Sequence, residues 1–158
     1  MKRIFHGQLI VMLVLIANIL SARNSNELDK KEFELSGELK KWHKITLTFK
    51  GPETSEQDEF NPFTNYRLDV LFTHAESGKT YKVPGYFAAD GNAGETSAIS
   101  GNKWRVHFCP SKTGQWNYKV DFRKDNFLAA RERKEAGESA GFMDGQEGSF
   151  TVSESDKT

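Results

Sequence analysis

Two stretches in the second half of the chain fix its fold class. In Lys103 to Cys109, Trp104, Val106 and Phe108 alternate with Arg105 and His107; in Gln115 to Arg123, Trp116, Tyr118, Val120 and Phe122 alternate with Asn117, Lys119, Asp121 and Arg123. A period of two puts one set on each face of a strand, so each segment has an apolar face for a core and a polar face for water. A helix would scatter both sets around its circumference. Between the two segments, Pro110 to Gly114 (PSKTG) supplies turn chemistry, with proline fixing φ and Gly114 free to take a positive φ. The pattern predicts that the two strands pair as a hairpin.

The same rhythm recurs upstream. Trp42 to Lys50 sets Ile45, Leu47 and Phe49 against Lys44, Thr46, Thr48 and Lys50, and Glu32 to Ser36 gives a shorter strand with Phe33 and Leu35. Tyr66 to Thr73 sets Leu68, Val70 and Phe72 against Arg67, Asp69 and Thr73, with Leu71 out of step. Thr80 to Phe87 is β-rich but interrupted by Pro84 and Gly85, which marks an edge strand or a bulge. Ser149 to Val152 closes the series with Phe150 and Val152. About seven to eight short strands separated by turns predict an all-β antiparallel sandwich. Two segments break the rhythm: Ala88 to Asn102, a loop of small and polar residues, and Asp125 to Gly148, with one helical turn expected within Phe127 to Ala136.

Domain boundaries come from the ends. Lys2 and Arg3 precede the apolar run Leu9 to Leu20, whose twelve residues would make a helix of only about 18 Å against a hydrocarbon core of about 30 Å. Residues 1–22 therefore read as a signal peptide cleaved after Ala22, with no cysteine following for a lipid anchor, so the expected location is secreted or periplasmic, without a permanent membrane span. Residues 23–31 read as a tail, 32–153 as the sandwich, and 154–158 as the start of a linker to a further domain. The 22 basic and 22 acidic residues of the 158 cancel, and without the leader, which carries Lys2 and Arg3 alone, 20 face 22. No polybasic tract points to nucleic acid. Cys109 is the lone cysteine, so no intrachain disulfide is possible.

One family matches the order of these pieces. Trp42 with ITLTF, Asn61-Pro62-Phe63, Val83-Pro84-Gly85-Tyr86-Phe87-Ala88-Ala89-Asp90-Gly91, Trp104-Arg105-Val106, Phe108 with Pro110, Gly114, Trp116 and Tyr118, and Gly148-Ser149-Phe150 together resemble an uncharacterised immunoglobulin-like module. That module is a domain of unknown function at the N-terminus of secreted bacterial glycoside hydrolases and candidate collagenases. The resemblance runs over roughly residues 33 to 153. It implies an immunoglobulin-like sandwich that serves as a non-catalytic accessory domain, packed against a (β/α)₈ glycoside hydrolase barrel in the same polypeptide. It brings no catalytic residues with it.

On the residues alone, chemistry is sparse. A glycosidase needs two carboxyl groups about 5 to 9.5 Å apart, but Asp58, Glu59, Asp69, Asp90, Glu95 and Asp144 read as solvated surface groups. Asp90, Asn92 and Glu95 lack the ligand spacing of a calcium loop. His43, His74 and His107 stand on separate segments with no zinc-ligand spacing, and Cys109 reads as passive. No catalytic, cofactor or metal site is expected. Aromatics outside the alternation, Trp42, Phe63, Tyr81, Tyr86, Phe87 and Phe142, are available for packing, for an interdomain face or for sugar rings. The candidate interdomain or glycan contacts are Tyr86, Phe87, Asp90 and Asn92, and plant cell-wall polysaccharide is the alternative partner, bound by an autonomous carbohydrate-binding module.

Overall fold

The computed structural model describes residues 33–132 and 136–156. The expected leader (1–22) and tail (23–31) lie outside the described residues, as do Glu32, 133–135 and 157–158.

The described chain forms an antiparallel, two-sheet β-sandwich. Strands β1 (Phe33–Gly37), β2 (Ile45–Ser55), β6 (Ser100–Phe108) and β5 (Tyr86–Phe87) lie in that order in the first sheet. In the second, β4 (Thr80–Pro84), β3 (Tyr66–His74) and β7 (Gly114–Lys124) are neighbours, and β9 (Glu147–Val152) and β8 (Glu138–Ser139) pair with successive stretches of β7. Two single-turn helices, α1 (Pro62–Asn65) and α2 (Ala93–Thr96), and a 3₁₀ turn (Leu128–Ala130) complete it. These nine strands exceed the expected number because β5 and β8 have two residues each, too short to leave a periodic signal. The Ala88 to Asn102 segment is less open than expected, since it contains α2 and the start of β6. The helical turn within Phe127 to Ala136 is confined to Leu128–Ala130 among the described residues; Phe127 before it takes a left-handed φ of 52°.

The alternating residues meet between the sheets as the period of two requires. Phe72 of β3 stacks on Phe108 of β6 with centroids 4.1 Å apart, Trp104 of β6 meets Phe122 of β7 at 4.8 Å, and Phe49 of β2 meets Tyr118 of β7 at 6.4 Å. Ring pairs at these distances add about 0.5–1.5 kcal/mol each beyond area burial.

The hairpin expectation fails. β6 pairs with β2 and β5, and β7 pairs with β3, β8 and β9, so residues 109–113 arch from one sheet to the other. Alternation says which side chains face the core, and a hairpin or an arch satisfies it equally. The polar groups of the loop decide between them. Pro110 O accepts the Trp42 N–H at 2.9 Å, Ser111 Oγ meets Tyr81 OH at 2.8 Å, and Thr113 O accepts from His74 Nε2 at 2.7 Å. Phe108 and Trp116 then face each other edge-on across the core at 5.0 Å.

The interruption at Pro84 and Gly85 has a topological meaning. Residues before it form β4 at the edge of the second sheet, and residues after it form β5 at the edge of the first. Gly85 donates its N–H to Leu68 O at 2.8 Å, and a Cβ there would press on the Leu68 side chain and lie 2.7 Å from Arg105 O. Only glycine lets the chain change sheets so close to both.

Two carboxylates depart from the expected solvated state. Asp69, assigned to the wet face of β3, is 1% exposed. It lies opposite Asp121 in register, and Lys82 Nζ bridges the pair at 3.1 and 3.9 Å. Asp144 accepts the Phe122 N–H at 2.8 Å and the Ser139 hydroxyl at 2.5 Å, joining its loop to β7. Cross-strand register, invisible in a single strand's pattern, brings both to their partners.

Candidate functional site

The sheet crossover opens a cleft of about 320 Å³ between the layers, lined by Phe63, Tyr86, Pro84, Arg67, Arg131 and Asp69 among others. Its aromatic wall is built locally. Asn61 caps α1 by accepting the Phe63 N–H at 2.8 Å, Pro62 fills the first helical position, and the turn projects Phe63 into solvent at 52% exposure. Phe63 covers Phe87, meeting it edge-on at 6.0 Å, and Phe87 in turn packs on Trp104 at 5.2 Å.

Tyr86 is the exposed partner. Its ring is 42% exposed, and its hydroxyl bonds His107 Nε2 at 3.0 Å while His107 Nδ1 bonds Thr46 Oγ1 at 2.9 Å. These three side chains belong to β5, β6 and β2, which are adjacent, so the row crosses the outer face of the first sheet. Burial, then the cations Lys44 and Arg105, hold the His107 imidazole below its ordinary range. At neutral pH it is uncharged, with one ring nitrogen donating and the other accepting. The row fixes the Tyr86 ring and leaves hydroxyls at its ends for further hydrogen bonds.

The four expected contact residues divide. Tyr86 lines the cleft in the open, whereas Phe87 is 5% exposed and serves as its floor. Asp90 and Asn92 belong to the following turn. The Asp90 carboxylate accepts from Thr96 Oγ1 and from the Asn92 N–H, each at 2.7 Å, and the Thr96 hydroxyl followed by that N–H holds its carboxyl below the usual range. Asp90 thereby ties the start of α2 to its end, which is a structural use of both oxygens. Phe63 was legible as an exposed aromatic, but Arg67 and Arg131 were not: Arg67 donates to the carbonyls of Leu128, at 2.5 Å, and Arg131, at 3.1 Å, contacts 61 and 64 residues away that no local pattern announces.

The other histidines and aromatics have structural places. His74 is 3% exposed, bonded to Ser77 and Thr113 and packed on Trp116 at 5.1 Å. Tyr81 packs on Phe108 and Trp116. Trp42, Phe127 and Phe142 are 51%, 67% and 64% exposed, and all three take left-handed φ values between 52° and 67°. Bulky side chains rarely adopt that backbone, and each instance costs on the order of 1–3 kcal/mol.

A second cluster was missed because its members are far apart in sequence. Ser153 donates to Leu39 O at 2.8 Å and accepts from the Lys41 N–H at 3.0 Å. Beyond it, Lys41 pairs with Glu154 at 3.0 Å, and the Lys40 ammonium lies 2.7 Å from both Glu38 and Asp156. His43 Nε2 approaches Asp156 at 2.7 Å, a close contact but poorly aligned as a hydrogen bond, while its Nδ1 faces Glu38 at 3.8 Å. The two carboxylates converge on a histidine as metal ligands do, but they face opposite ring nitrogens, and Lys40 already supplies a cation between them. The expected linker composition of 154–158 therefore begins, through Asp156, as an attached strap.

This strap has a pH dependence of known sign. The Lys40 ammonium, chiefly by hydrogen bonding, holds the Glu38 and Asp156 carboxyls below their ordinary values. Depressed folded-state values mean attachment is complete above the ordinary carboxylate range and is lost as pH falls through the lowered values, below about 4. Amide relaxation of residues 153–156 should show a rigid strap at neutral pH that loosens in that acidic window and in high salt. A strap equally mobile at pH 7 would contradict the ion-pair geometry.

No curated protein matches the chain. Among solved structures it is similar to a crystal structure of a candidate glycoside hydrolase from Bacteroides vulgatus ATCC 8482, with 23% identity and a TM-score of 0.45. That match covers 75% of this chain and 16% of the other, so the chain spans a small part of the protein it resembles. A family model described as a domain of unknown function, DUF5060, matches residues 38–123, from the segment after β1 to the penultimate residue of β7. The chain belongs to the DUF5060 family.

Proposed function

We propose that the chain is the non-catalytic, immunoglobulin-like N-terminal accessory domain of a secreted carbohydrate-active enzyme, packed against a (β/α)₈ glycoside hydrolase barrel in the same polypeptide. The observation that carries this reading is how the carboxylates are used. Asp69 and Asp121 are bridged by Lys82, Arg123 Nε holds Asp121 at 2.6 Å, Asp90 and Asp144 are engaged by their own turns, and Asp58 accepts from Thr54 and Ser55. Glycoside hydrolysis needs one carboxyl kept protonated and another free to attack or to activate water. Carboxylates neutralised by neighbouring cations and turn donors hold a fold together instead. The motif order of the sequence supplies the link to glycoside hydrolases.

Purified chain incubated with plant cell-wall polysaccharides is expected to release no new reducing ends above a heat-denatured control. Sustained release, abolished by Asp69→Asn and Asp121→Asn together in a variant that still folds, would overturn the non-catalytic reading.

A second reading is favoured by one observation, the fixed Tyr86 ring with its His107 and Thr46 row. A flat, half-exposed ring beside hydroxyl and imidazole groups suits a sugar's apolar face and its hydroxyl edge, and makes the outer face of the first sheet, where Tyr86 borders the cleft, a glycan contact. Titration with cell-wall oligosaccharides is expected to show weak binding that Tyr86→Ala removes; no binding at millimolar ligand would exclude it.

A further inference from the structure

We infer that the outer face of the first sheet binds an acidic polysaccharide, a glycan chain whose charge is carried by uronate carboxylates, with Tyr86 under one sugar ring and Lys44, Lys50, Lys103 and Arg105 around it. This rests on the glycan reading above and names the class of glycan that the same face selects.

Register assembles the charge. Lys44 stands two residues before Thr46, on the outward side of the β2 segment, and Lys50 faces Lys103 across β2 and β6. Arg105, two residues on from Lys103, lies opposite Thr48 on one side and Tyr86 on the other. The four cations therefore share one face, although the 158-residue chain balances 22 basic residues with 22 acidic ones. No tract of the sequence announces them, since they come from two strands with inward-facing residues between.

Their lack of partners sets this face apart. On the second sheet, Lys82, Lys119, Arg123 and Lys124 each lie within 3.5 Å of a carboxylate. Among the described residues, none of Lys44, Lys50, Lys103 and Arg105 forms an ion pair. Glu34 borders the face on β1, opposite Thr48, and Asp90 borders it in the turn after β5, where Thr96 and the Asn92 N–H occupy its oxygens. Like charges directly opposite each other, as Lys50 and Lys103 are, destabilise a sheet, and a bound carboxylate offsets that repulsion.

Arg105 and Tyr86 supply the specificity. The Arg105 Nε donates to Thr48 Oγ1 at 3.0 Å, the one side-chain hydrogen bond it makes among the described residues. A planar guanidinium held in this way can offer its terminal N–H groups to both oxygens of a carboxylate. Adjacent strands lie about 4.8 Å apart, so a sugar ring stacked on Tyr86 brings a carboxylate on that ring to Arg105. The row of Thr46, His107 and Tyr86 meets hydroxyls with neutral donors and acceptors. A lipid surface would use the cations and leave that row idle.

The test titrates the chain at low salt with a galacturonate oligosaccharide, with a neutral cello-oligosaccharide of equal length, and with phosphatidylserine vesicles. The galacturonate is expected to bind about tenfold more tightly than the neutral chain, the worth of one charge-assisted hydrogen bond, and to lose that advantage in high salt. Lys103→Glu places opposite charges across β2 and β6, so it should keep or raise the melting temperature while removing the preference for galacturonate; Arg105→Gln should remove it as well. Tyr86→Ala should weaken both oligosaccharides. Equal affinity for the two would overturn the inference and leave the glycan reading standing, whereas no binding of either would remove both. A galacturonate preference that survives Lys103→Glu and Arg105→Gln would place the acidic chain elsewhere and overturn the inference, as would binding to vesicles without binding to galacturonate.

Discussion

Trp104→Ala lowers the stability of the folded chain by about 3–5 kcal/mol, the range for emptying a large aromatic site in a core. Trp104 is 2% exposed and meets Tyr66, Phe87 and Phe122, which belong to both sheets and to the floor of the cleft. Its edge also lies against Gly51, where a Cβ would stand 2.5 Å from the ring, so on that side the glycine offers no side chain to fill the space. The expected readout is a lower urea midpoint with an unchanged slope. Trp104→Phe is expected to cost far less, about 1 kcal/mol. It leaves a small void, but it also removes a buried indole N–H that meets no acceptor among the described residues, a group whose burial costs about 1–3 kcal/mol. Equal losses for the two variants would mean that the N–H is satisfied after all.

Gly101→Ala is the second large effect, about 3 kcal/mol, from overpacking and backbone strain acting together. Gly101 takes a φ of 151°, and a Cβ there would collide with the carbonyl group of Ala89 and lie 2.7 Å from Asp90 N. Those atoms are backbone and cannot rotate aside. The turn they belong to is held down by Lys103 donating to Ala89 O at 2.9 Å and by Ala88 donating to Lys103 O at 2.8 Å. The substitution should therefore lift the Ala88–Asn92 turn from β6, with amide shifts centred on Ala89 and Asp90. A stability loss below about 0.5 kcal/mol, within the range of ordinary surface substitutions, would contradict this packing.

The core was legible because alternation reports burial directly: Trp104, Val106, Phe108, Trp116, Tyr118, Val120 and Phe122 all face inward as their spacing predicts. Partnership between strands was not legible. A five-residue loop closes a hairpin or an arch with equal ease, and the groups that chose the arch, Trp42, His74 and Tyr81, lie in other segments. Burial of Asp69 had the same origin, since only the register of β3 with β7 and β4 places Lys82 beside it. For the cleft, the sequence marked Tyr86 and Phe63 as surplus aromatics, but Phe87, one residue on, points to the opposite side of β5 and becomes floor. The strap stayed hidden because its ion pairs join residues more than a hundred positions apart.

The packing proposed above, of this domain against a catalytic partner in cis, is read out by calorimetry of the chain and of the polypeptide continued beyond Thr158. A docked domain gains stability from its interface. The transition of residues 33–156 is expected to move to higher temperature in the continued polypeptide and to merge with that of the following domain. Two separate transitions, with this domain melting where it melts alone, would contradict it.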